Sequence, residues 1–274
     1  MSFKTPTCLL LDSKREFVAF GFDAEDQWTD LLYEEEHEEY YFFERFKMNL
    51  HNNKNITSGM LLEDVTEKKQ LPAFDVFKLS IQYLVNHLLD LLEKQGNLVK
   101  HNEVRWVLTV PAIWTDRAKK FMRSCAEAFS IYSRLVYQKD NLFLALEPET
   151  ASIFCQYLST EKLKGSEPGF TMTSEGTEYM VVDLGGGTAD ITVHRKVANG
   201  RLKELHRAIG NDCGGTAIDK RFFELFEEIV GKTVLNSLKR ECPLAYFDLV
   251  REFESKKRTV ETKRVFYGNP TRCA

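Results

Sequence analysis

Residues Tyr179–Asp190 read YMVVDLGGGTAD, and this stretch decides the fold of the chain. Its apolar start predicts a strand that delivers Asp183, its three glycines and Thr188 predict a turn, and Asp190 opens a second, alternating strand. Consecutive glycines leave backbone N–H groups uncovered, so an anion can lie against such a turn. The flanking carboxylates and the hydroxyl suit a magnesium ion and its waters beside a phosphate. An ordinary glycine-rich hairpin turn is the alternative reading of this stretch taken by itself.

The composition predicts a mixed α/β protein of a reducing compartment. The 274 residues suffice for one large domain or two modest ones, and a net charge of −4 gives no general attraction to nucleic acid or anionic membrane. No apolar stretch approaches the length of a membrane span, and the start lacks a signal-peptide core. The six cysteines are scattered without a Cys-x-x-Cys pair, against a disulfide framework or a zinc site. We therefore expect a soluble, cytoplasmic protein without nucleic-acid or membrane partners.

The pattern downstream of the glycine turn predicts a sheet followed by a helix. Residues 179–209 form a three-stranded antiparallel meander whose first connection is the glycine turn and whose second is Asn199-Gly200. The pair Gly214-Gly215 then precedes a helix with apolar residues on one face. These residues are Ile218, Phe222, Leu225, Phe226 and Ile229.

The other elements are predicted from periodicity and from turn residues. We expect strands within Cys8–Phe22, at Val104–Val110 and at Leu142–Leu146, and helices in Tyr33–Leu50, Pro72–Gly96, Thr150–Tyr157 and Tyr246–Phe266. A further helix is expected after Thr115-Asp116, and the residues on its buried face are Phe121, Met122, Cys125 and Phe129. The segment Glu161–Glu178 is expected to be a linker or a surface insertion.

The glycine turn differs from the two common phosphate-binding loops. No Gly-Lys-Ser/Thr follows the glycines, and the next element is a strand, so neither a Walker loop nor a Rossmann fingerprint fits. A strand, an aspartate, a glycine-rich hairpin and a second strand resemble a phosphate motif of the actin-like ATPase superfamily. In that superfamily two similar lobes each supply such a hairpin and hold a nucleotide between them.

Several motifs in order resemble the 70-kDa heat-shock protein family and extend over nearly the whole chain. They are Lys4–Thr7, Phe46-Lys47, Val104–Arg123 (VRWVLTVPAIWTDRAKKFMR), Leu146–Ser152 (LEPETAS), Val182–Ile191, Gly214-Gly215, and the spaced residues Glu254, Lys257 and Arg258. The sequence of Ala145–Glu149 and the aromatic-rich stretch Phe42–His51 resemble in particular the divergent heat shock 70 kDa protein 12 branch.

The resemblance implies binding of ATP or ADP with Mg²⁺, and slow hydrolysis. By this resemblance Asp183 holds magnesium-bound water or orients the nucleophile, Glu147 reaches magnesium through water, and Lys47 lies near the γ-phosphate. The phosphates are contacted by Gly185, Gly186, Gly187 and Thr188, and from the other lobe by Gly214 and Gly215. Adenosine is framed by Glu254, Lys257 and Arg258.

Some of these residues have plainer explanations. Lys47 is equally well explained as an exposed helical lysine, and Lys256-Lys257-Arg258 as a solvated basic face or, less readily, an import or nucleic-acid patch. Cys213 could be a redox-sensitive thiol beside the glycine pair, but a small buried filler is the favoured expectation.

The resemblance also has gaps. No Asp-x-Gly-Thr-Thr-like hairpin occurs near the N-terminus, Leu146 stands where the family usually has Asn, and Glu261 where a small hydroxyl residue usually faces adenine. We therefore expect an α/β, ribonuclease-H-like, two-lobed nucleotide-binding domain that is incomplete at both ends. We expect it to bind nucleotide weakly and to show little or no turnover.

The expected division has four parts. Residues 1–100 form an outer subdomain of the first lobe, 101–175 its core, 176–213 part of the second core and 214–274 part of the second outer subdomain.

Three functions remain open from the sequence. The first is an ATPase that meets co-chaperones or client proteins, and the second is an inactive pseudo-ATPase or scaffold. The third is another actin-like ATPase, such as a sugar kinase or a filament protein, which the Glu147-Pro148 and Val110-Pro111-Ala112 motifs disfavour.

Overall fold

A computed structural model describes residues 4–51, 53–99, 103–132, 141–157 and 173–259 of the chain. Its helices are α1 (Phe22–Tyr33), α2 (Ala73–Lys94), α3 (Asp116–Tyr132), α4 (Glu147–Gln156), α5 (Gly215–Val230), α6 (Lys232–Glu241) and α7 (Pro243–Thr259). Its strands are β1 (Cys8–Leu11), β2 (Phe17–Phe20), β3 (Tyr41–Glu44), β4 (Leu61–Glu63), β5 (Gln70–Pro72), β6 (Trp106–Val110), β7 (Leu142–Leu146), β8 (Glu178–Leu184), β9 (Ala189–Lys196) and β10 (Leu202–Asn211). The protein is therefore mixed α/β, as the sequence predicts.

The chain divides into two compact units, residues 1–218 and 219–274. All the strands of the described residues lie in the first unit, in sheets ordered β2-β1-β3, β10-β9-β8, β4-β5 and β6-β7. The second unit contains most of α5 together with α6 and α7.

The meander predicted around the glycine turn is confirmed. Strands β8, β9 and β10 are antiparallel, and the register of the first hairpin pairs Leu184 with Ala189. The second connection is a 3₁₀ turn, Ala198–Gly200, in which Asn199 has φ 60° and Gly200 has φ 71°. Left-handed backbone at both positions is what the Asn-Gly pair predicts.

In this sheet polar side chains lie on the covered face and apolar side chains on the exposed face, the reverse of the usual arrangement. Helix α4 packs against β8 and β9, and the buried side chains of β9 are polar. These side chains are Asp190, Thr192, His194 and Lys196. Two contacts support the covered face: Lys196 Nζ donates to Gln156 Oε1 at 2.8 Å, and the hydroxyls of Tyr179 and Ser152 lie 2.7 Å apart. The apolar side chains on the opposite face of the sheet are exposed, and they are Met180, Val182, Leu184, Ile191 and Ile209.

The hydrophobic core of the first unit lies between the β2-β1-β3 sheet and helices α2 and α3. Its buried members include Leu9, Phe43, Val76, Phe121 and Cys125. The predicted buried face of α3 is confirmed for Phe121, Met122 and Cys125, whereas the side chain of Phe129 lies outside the described residues. Burial raises the pKa of the Cys125 thiol to about 12, so this cysteine is an inert core residue.

The prediction of one helix over Tyr33–Leu50 is wrong. Helix α1 ends at Tyr33, and the segment continues as a 3₁₀ turn, strand β3 and a second 3₁₀ turn at Phe46–Leu50. The cause is the aromatic pair Phe42 and Phe43, which is fully buried and pairs in register with β1. Aromatic residues suit a half-buried pleated surface, and here this preference overrides the acidic helix-like pattern.

Helix α2 is confirmed where the periodicity predicts it, but only its first half is core. Val76 and Phe77 are buried, whereas Leu84, Leu88 and Leu91 are 42–48% exposed. In α5, the predicted apolar residues Ile218, Leu225 and Ile229 are likewise exposed.

The remaining predictions differ little from the structure. Strands β6 and β7 are confirmed, and they pair in parallel. Helix α4 begins at Glu147 rather than Thr150, because Pro148 at the first turn favours a helix start. Helix α7 begins at Pro243 and is described as far as Thr259, and most of the predicted segment Glu161–Glu178 lies outside the described residues. Among the described helices, none combines the length and the apolarity that a membrane span needs.

Candidate functional site

The glycine turn is a tight hairpin connection with an open side. The N–H of Gly185 donates to the carbonyl of Thr188 at 2.8 Å, which closes the turn. Gly186 is exposed, and a Cβ added there would meet nothing within 4 Å. Within the described part of the chain, no turn or loop hydrogen bond uses the N–H of Gly186 or Gly187. These two amides are the donors that an anion could use.

The predicted glycine pair lies directly against this turn. The N–H groups of Gly214, Gly215 and Thr216 donate to the carbonyls of Gly187, Gly185 and Gly186 at 3.3, 3.1 and 2.8 Å. A Cβ on Gly214 would lie 2.5 Å from the Gly187 carbonyl carbon, so only glycine allows this approach. The first amides of α5 are thus satisfied by the turn itself. The two glycine motifs that the sequence predicts as phosphate contacts are brought together, and part of their hydrogen-bonding capacity is used between them.

Two carboxylates face each other at the base of the turn. The register of β8 and β9 pairs Asp183 with Asp190, so both side chains project from the same face of the sheet. Directly opposed residues have Cβ atoms about 5 Å apart, and like charges at that separation repel. A cation, or the waters around a cation, would relieve the repulsion.

Asp190 is a further candidate residue, to which the family resemblance assigns no role. It is 1% exposed, and its Oδ1 has no hydrogen-bond partner among the described residues. Gly210 lies beside it, because a Cβ there would be 2.8 Å from Asp190 Oδ1. A buried, unsatisfied carboxylate oxygen is costly unless something positive or hydrated approaches it. A signal for this residue exists in the sequence, since a four-residue turn between Leu184 and Ala189 must set the two aspartates opposite each other.

Lys47 and Glu147 form an ion pair across 100 positions of sequence. Lys47 Nζ lies 2.6 Å from Glu147 Oε1, and the two side chains are 39% and 19% exposed. Glu147 begins α4, where the helix dipole favours a carboxylate, and Lys47 lies in the 3₁₀ turn Phe46–Leu50. The ammonium also lies 5.6 Å from the centre of the buried Trp114 ring, a cation–π contact. The structure therefore brings together these two predicted site residues, and Lys47 is an organised side chain rather than a free surface lysine.

The other predicted residues lie in the second unit. Lys257 is largely buried and contacts both Glu254 and Asp219, while Arg258 Nε donates to Glu254 Oε1 at 2.7 Å. Partial burial opposes ionisation of Glu254, but Lys257 and Arg258 outweigh it and hold the pKa of this carboxyl below its ordinary value. The interpretation of Lys257 as part of a solvated basic face is therefore wrong, because its ammonium contacts two carboxylates.

Two further expectations concern cysteine and metal. Cys213 is exposed, so the expected small buried filler is wrong; the adjacent Gly214 is the buried residue because its lack of a side chain permits the backbone contact with the turn. In the described ranges, no three or more His, Cys, Asp or Glu side chains are grouped so that they could hold a metal ion.

The chain is similar to heat-shock proteins of the 70-kDa family along almost all of its length. The alignments cover 95% of this chain and 44% of each relative, so the chain spans less than half the length of the curated relatives it matches. No protein-family model matches it.

The relatives that match the chain carry the names of one branch of the family. Human Heat shock 70 kDa protein 12B is 36% identical over 305 residues, human Heat shock 70 kDa protein 12A is 34% identical over 304 residues, and the mouse 12A protein is 33% identical over 304 residues. The predicted resemblance to the 70-kDa heat-shock proteins, and to their 12A/12B branch in particular, is confirmed.

Proposed function

We propose that this chain is a nucleotide-binding domain that takes ATP or ADP with Mg²⁺ at the glycine turn. The observation that carries the proposal is the arrangement within the first unit: an open glycine turn, a cross-strand pair of aspartates at its base, and the Lys47–Glu147 ion pair. The similarity to the 12A/12B heat-shock proteins supports the same reading. We further propose that the fold is the two-lobed, ribonuclease-H-like arrangement of actin-like ATPases, with the four-part division expected from the sequence.

The residues of the turn fit a hydrated magnesium–phosphate group. The buried Oδ1 of Asp190 has no protein partner among the described residues, and the open side of Gly186 leaves room beside the turn amides. Mg²⁺ usually keeps several waters and is held by one or two carboxylates together with substrate phosphates. Two aspartates at a glycine turn meet that requirement without a cage of three protein ligands.

The roles follow from the chemistry of each group. Asp183 and Asp190 would hold the waters of magnesium, and Glu147 would hold another such water while orienting Lys47. When bound, the metal and the triphosphate supply charge neutralisation for transfer of the γ-phosphoryl group to water. The amides of the turn and the Thr188 hydroxyl would fix the phosphate oxygens, and Lys47 would keep a positive charge beside them.

The assignments in the second unit rest on resemblance alone. Glu254, Lys257 and Arg258 are proposed to frame adenosine, with Lys257 already oriented by Glu254 and Asp219. Chaperone activity, partners among co-chaperones or clients, and a cytoplasmic location are proposed on the same basis.

One observation favours the alternative, a pseudo-ATPase or scaffold that keeps the fold. The ammonium of Lys47 is paired with Glu147, and the amides of Gly214 and Gly215 are used by the turn carbonyls. A site whose donors are satisfied internally can retain its shape without holding a nucleotide.

Calorimetric titration of the 274-residue chain with MgATP, followed by a turnover assay, separates the two functions. An ATPase binds MgATP and releases phosphate over several turnovers, and Asp183→Asn abolishes the release. A pseudo-ATPase binds or ignores MgATP, with equal near-zero turnover in the wild type and the variant. Absence of binding in the wild-type chain would contradict the proposed nucleotide site.

A further inference from the structure

Met48, the residue after Lys47, lies against the glycine turn. A Cβ added to Gly187 would be 2.0 Å from Met48 Sδ, 3.1 Å from its Cγ and 3.2 Å from its Cε. The neighbouring Gly186 has nothing within 4 Å of such an atom. One position of the turn is therefore closed by a thioether, while the next is open.

The backbone of Met48 is held firmly enough for this contact to matter. Its N–H donates to the Arg45 carbonyl at 3.1 Å, and its carbonyl accepts from the His51 N–H at 3.0 Å. The same 3₁₀ turn is anchored in the core by Phe46 and Leu50, which are 3% and 0% exposed. Because the packed core resists displacement of this backbone, the Met48 side chain can hold a neighbouring residue in place.

Two successive side chains of this segment contact both sides of the candidate site. Lys47 pairs with Glu147 at the start of α4, and Met48 touches Gly187 in the turn. Any shift of the 3₁₀ turn changes both contacts together. Methionine suits this role because its flexible, polarisable side chain fills an irregular gap beside a residue without a Cβ.

We propose that Met48 is a positioning residue that fixes the glycine turn relative to the ammonium of Lys47. It acts through Gly187 and makes no contact with the nucleotide. The consequence for ATP rests on the proposed function, whereas the consequence for the turn does not.

Hydrogen–deuterium exchange of the nucleotide-free chain tests the positioning of the turn. Met48→Ala removes the side chain above Gly187, and we expect the hydrogen-bonded amides that depend on the turn, those of Gly185, Gly214, Gly215 and Thr216, to exchange about tenfold faster, since the turn loses its support. Met48→Leu, which nearly conserves the volume, should stay close to the wild type. Unchanged exchange in Met48→Ala would overturn the proposal.

A double-mutant cycle tests the contact itself. Gly187→Ala alone should lower the thermal midpoint, because its Cβ and Met48 Sδ cannot both keep their positions. Gly187→Ala in the Met48→Ala background should cost much less, giving coupling between the two sites. Strictly additive effects would contradict a direct contact. Gly59→Ala, where a Cβ meets nothing within 4 Å, is the neutral control.

Calorimetry connects the contact with the nucleotide. Met48→Ala should bind ATP about tenfold more weakly than the wild type, because a small misplacement of a binding group is costly, and should bind adenosine equally well. Equal loss for ATP and adenosine would indicate general damage and overturn the positioning role. If the wild-type chain binds no ATP, the proposed function fails, and the exchange and coupling results alone decide the role of Met48.

Discussion

The Lys47–Glu147 ion pair is the residue-scale feature that separates this site from an ordinary hairpin. A partly exposed ion pair contributes only about 0–1 kcal/mol to folding, so stability is a weak reason for its geometry. The ammonium is also held above the Trp114 ring, which restricts it further. The arrangement keeps a cation in a defined place at little cost, as binding of an anion requires.

We predict that Lys47→Met weakens ATP binding much more than it destabilises the chain. The free energy of unfolding should change by at most about 1 kcal/mol, since the pair is partly exposed. Loss of a charge-assisted contact to phosphate should weaken binding by about 1.5–3 kcal/mol, roughly ten- to a hundredfold. Urea unfolding and calorimetry with MgATP measure the two effects. Lys68→Met, which removes an exposed ion pair with Glu38, is the matched control.

We predict that Asp190→Asn stabilises the nucleotide-free chain. The substitution keeps the shape of the side chain and removes the repulsion from Asp183, which amounts to about 0.2–1 kcal/mol for opposed residues in a sheet. The same change should weaken binding of MgATP. Denaturant unfolding without metal, with the exposed Asp212→Asn as control, checks the sign. A large loss of stability would show that Asp190 has a structural partner instead.

At the scale of elements, hydrogen bonds between the glycine turn and the start of helix α5 hold the candidate site together. Three successive amides at the start of α5 donate to three successive carbonyls of the turn. These hydrogen bonds satisfy amides at the helix start and hold the two glycine motifs together.

We predict that Gly214→Ala destabilises the chain by about 1–3 kcal/mol, the usual cost of overpacking. The added Cβ would meet backbone atoms of Gly186 and Gly187 at 2.5–2.7 Å, and no flexible side chain is there to move away. The thermal midpoint should fall and the first turn of α5 should exchange faster. Gly59→Ala, placed in open space, should leave both unchanged.

Prediction from the sequence succeeded where local pattern and local structure coincide. The meander, the glycine turn, α2 and the β6 and β7 strands follow from alternation and turn chemistry. The failure at Tyr33–Leu50 arose because burial of Phe42 and Phe43 depends on β1, more than 30 positions away in the chain. The cross-strand pairing of Asp183 and Asp190 can be predicted from the length of the turn. The Lys47–Glu147 pair and the Met48–Gly187 contact cannot, because they depend on packing that no local pattern encodes.

At the scale of the whole molecule, the chain consists of two compact units, residues 1–218 and 219–274. The first unit carries the glycine turn and its charged partners, and the second carries the cluster around Lys257. The chain spans 44% of each relative, so the activity of a whole 12A/12B-like protein is only proposed for it. The glycine turn and its charged neighbours in the first unit support that proposal.

We predict that the Glu254 network makes stability fall at acid pH. The folded pKa of Glu254 is lowered, so its contribution is fully present above the unfolded value of about 4.3 and is lost as the pH falls through the lower folded value. Thermal unfolding should show Glu254→Gln less stable than the wild type at pH 7, with the difference vanishing well below pH 4.3. A difference that persists in strong acid would contradict the linkage. Glu241→Gln, which removes an exposed ion pair with Arg240, is the control.

The central claim is that the glycine turn holds the phosphates of a nucleotide, and hydrogen–deuterium exchange of the 274-residue chain with and without MgATP tests it most directly. We predict slower exchange at residues 184–188 with MgATP, weaker protection with ADP, and none at these residues with adenosine. Binding of MgATP that leaves exchange at these residues unchanged would contradict the account.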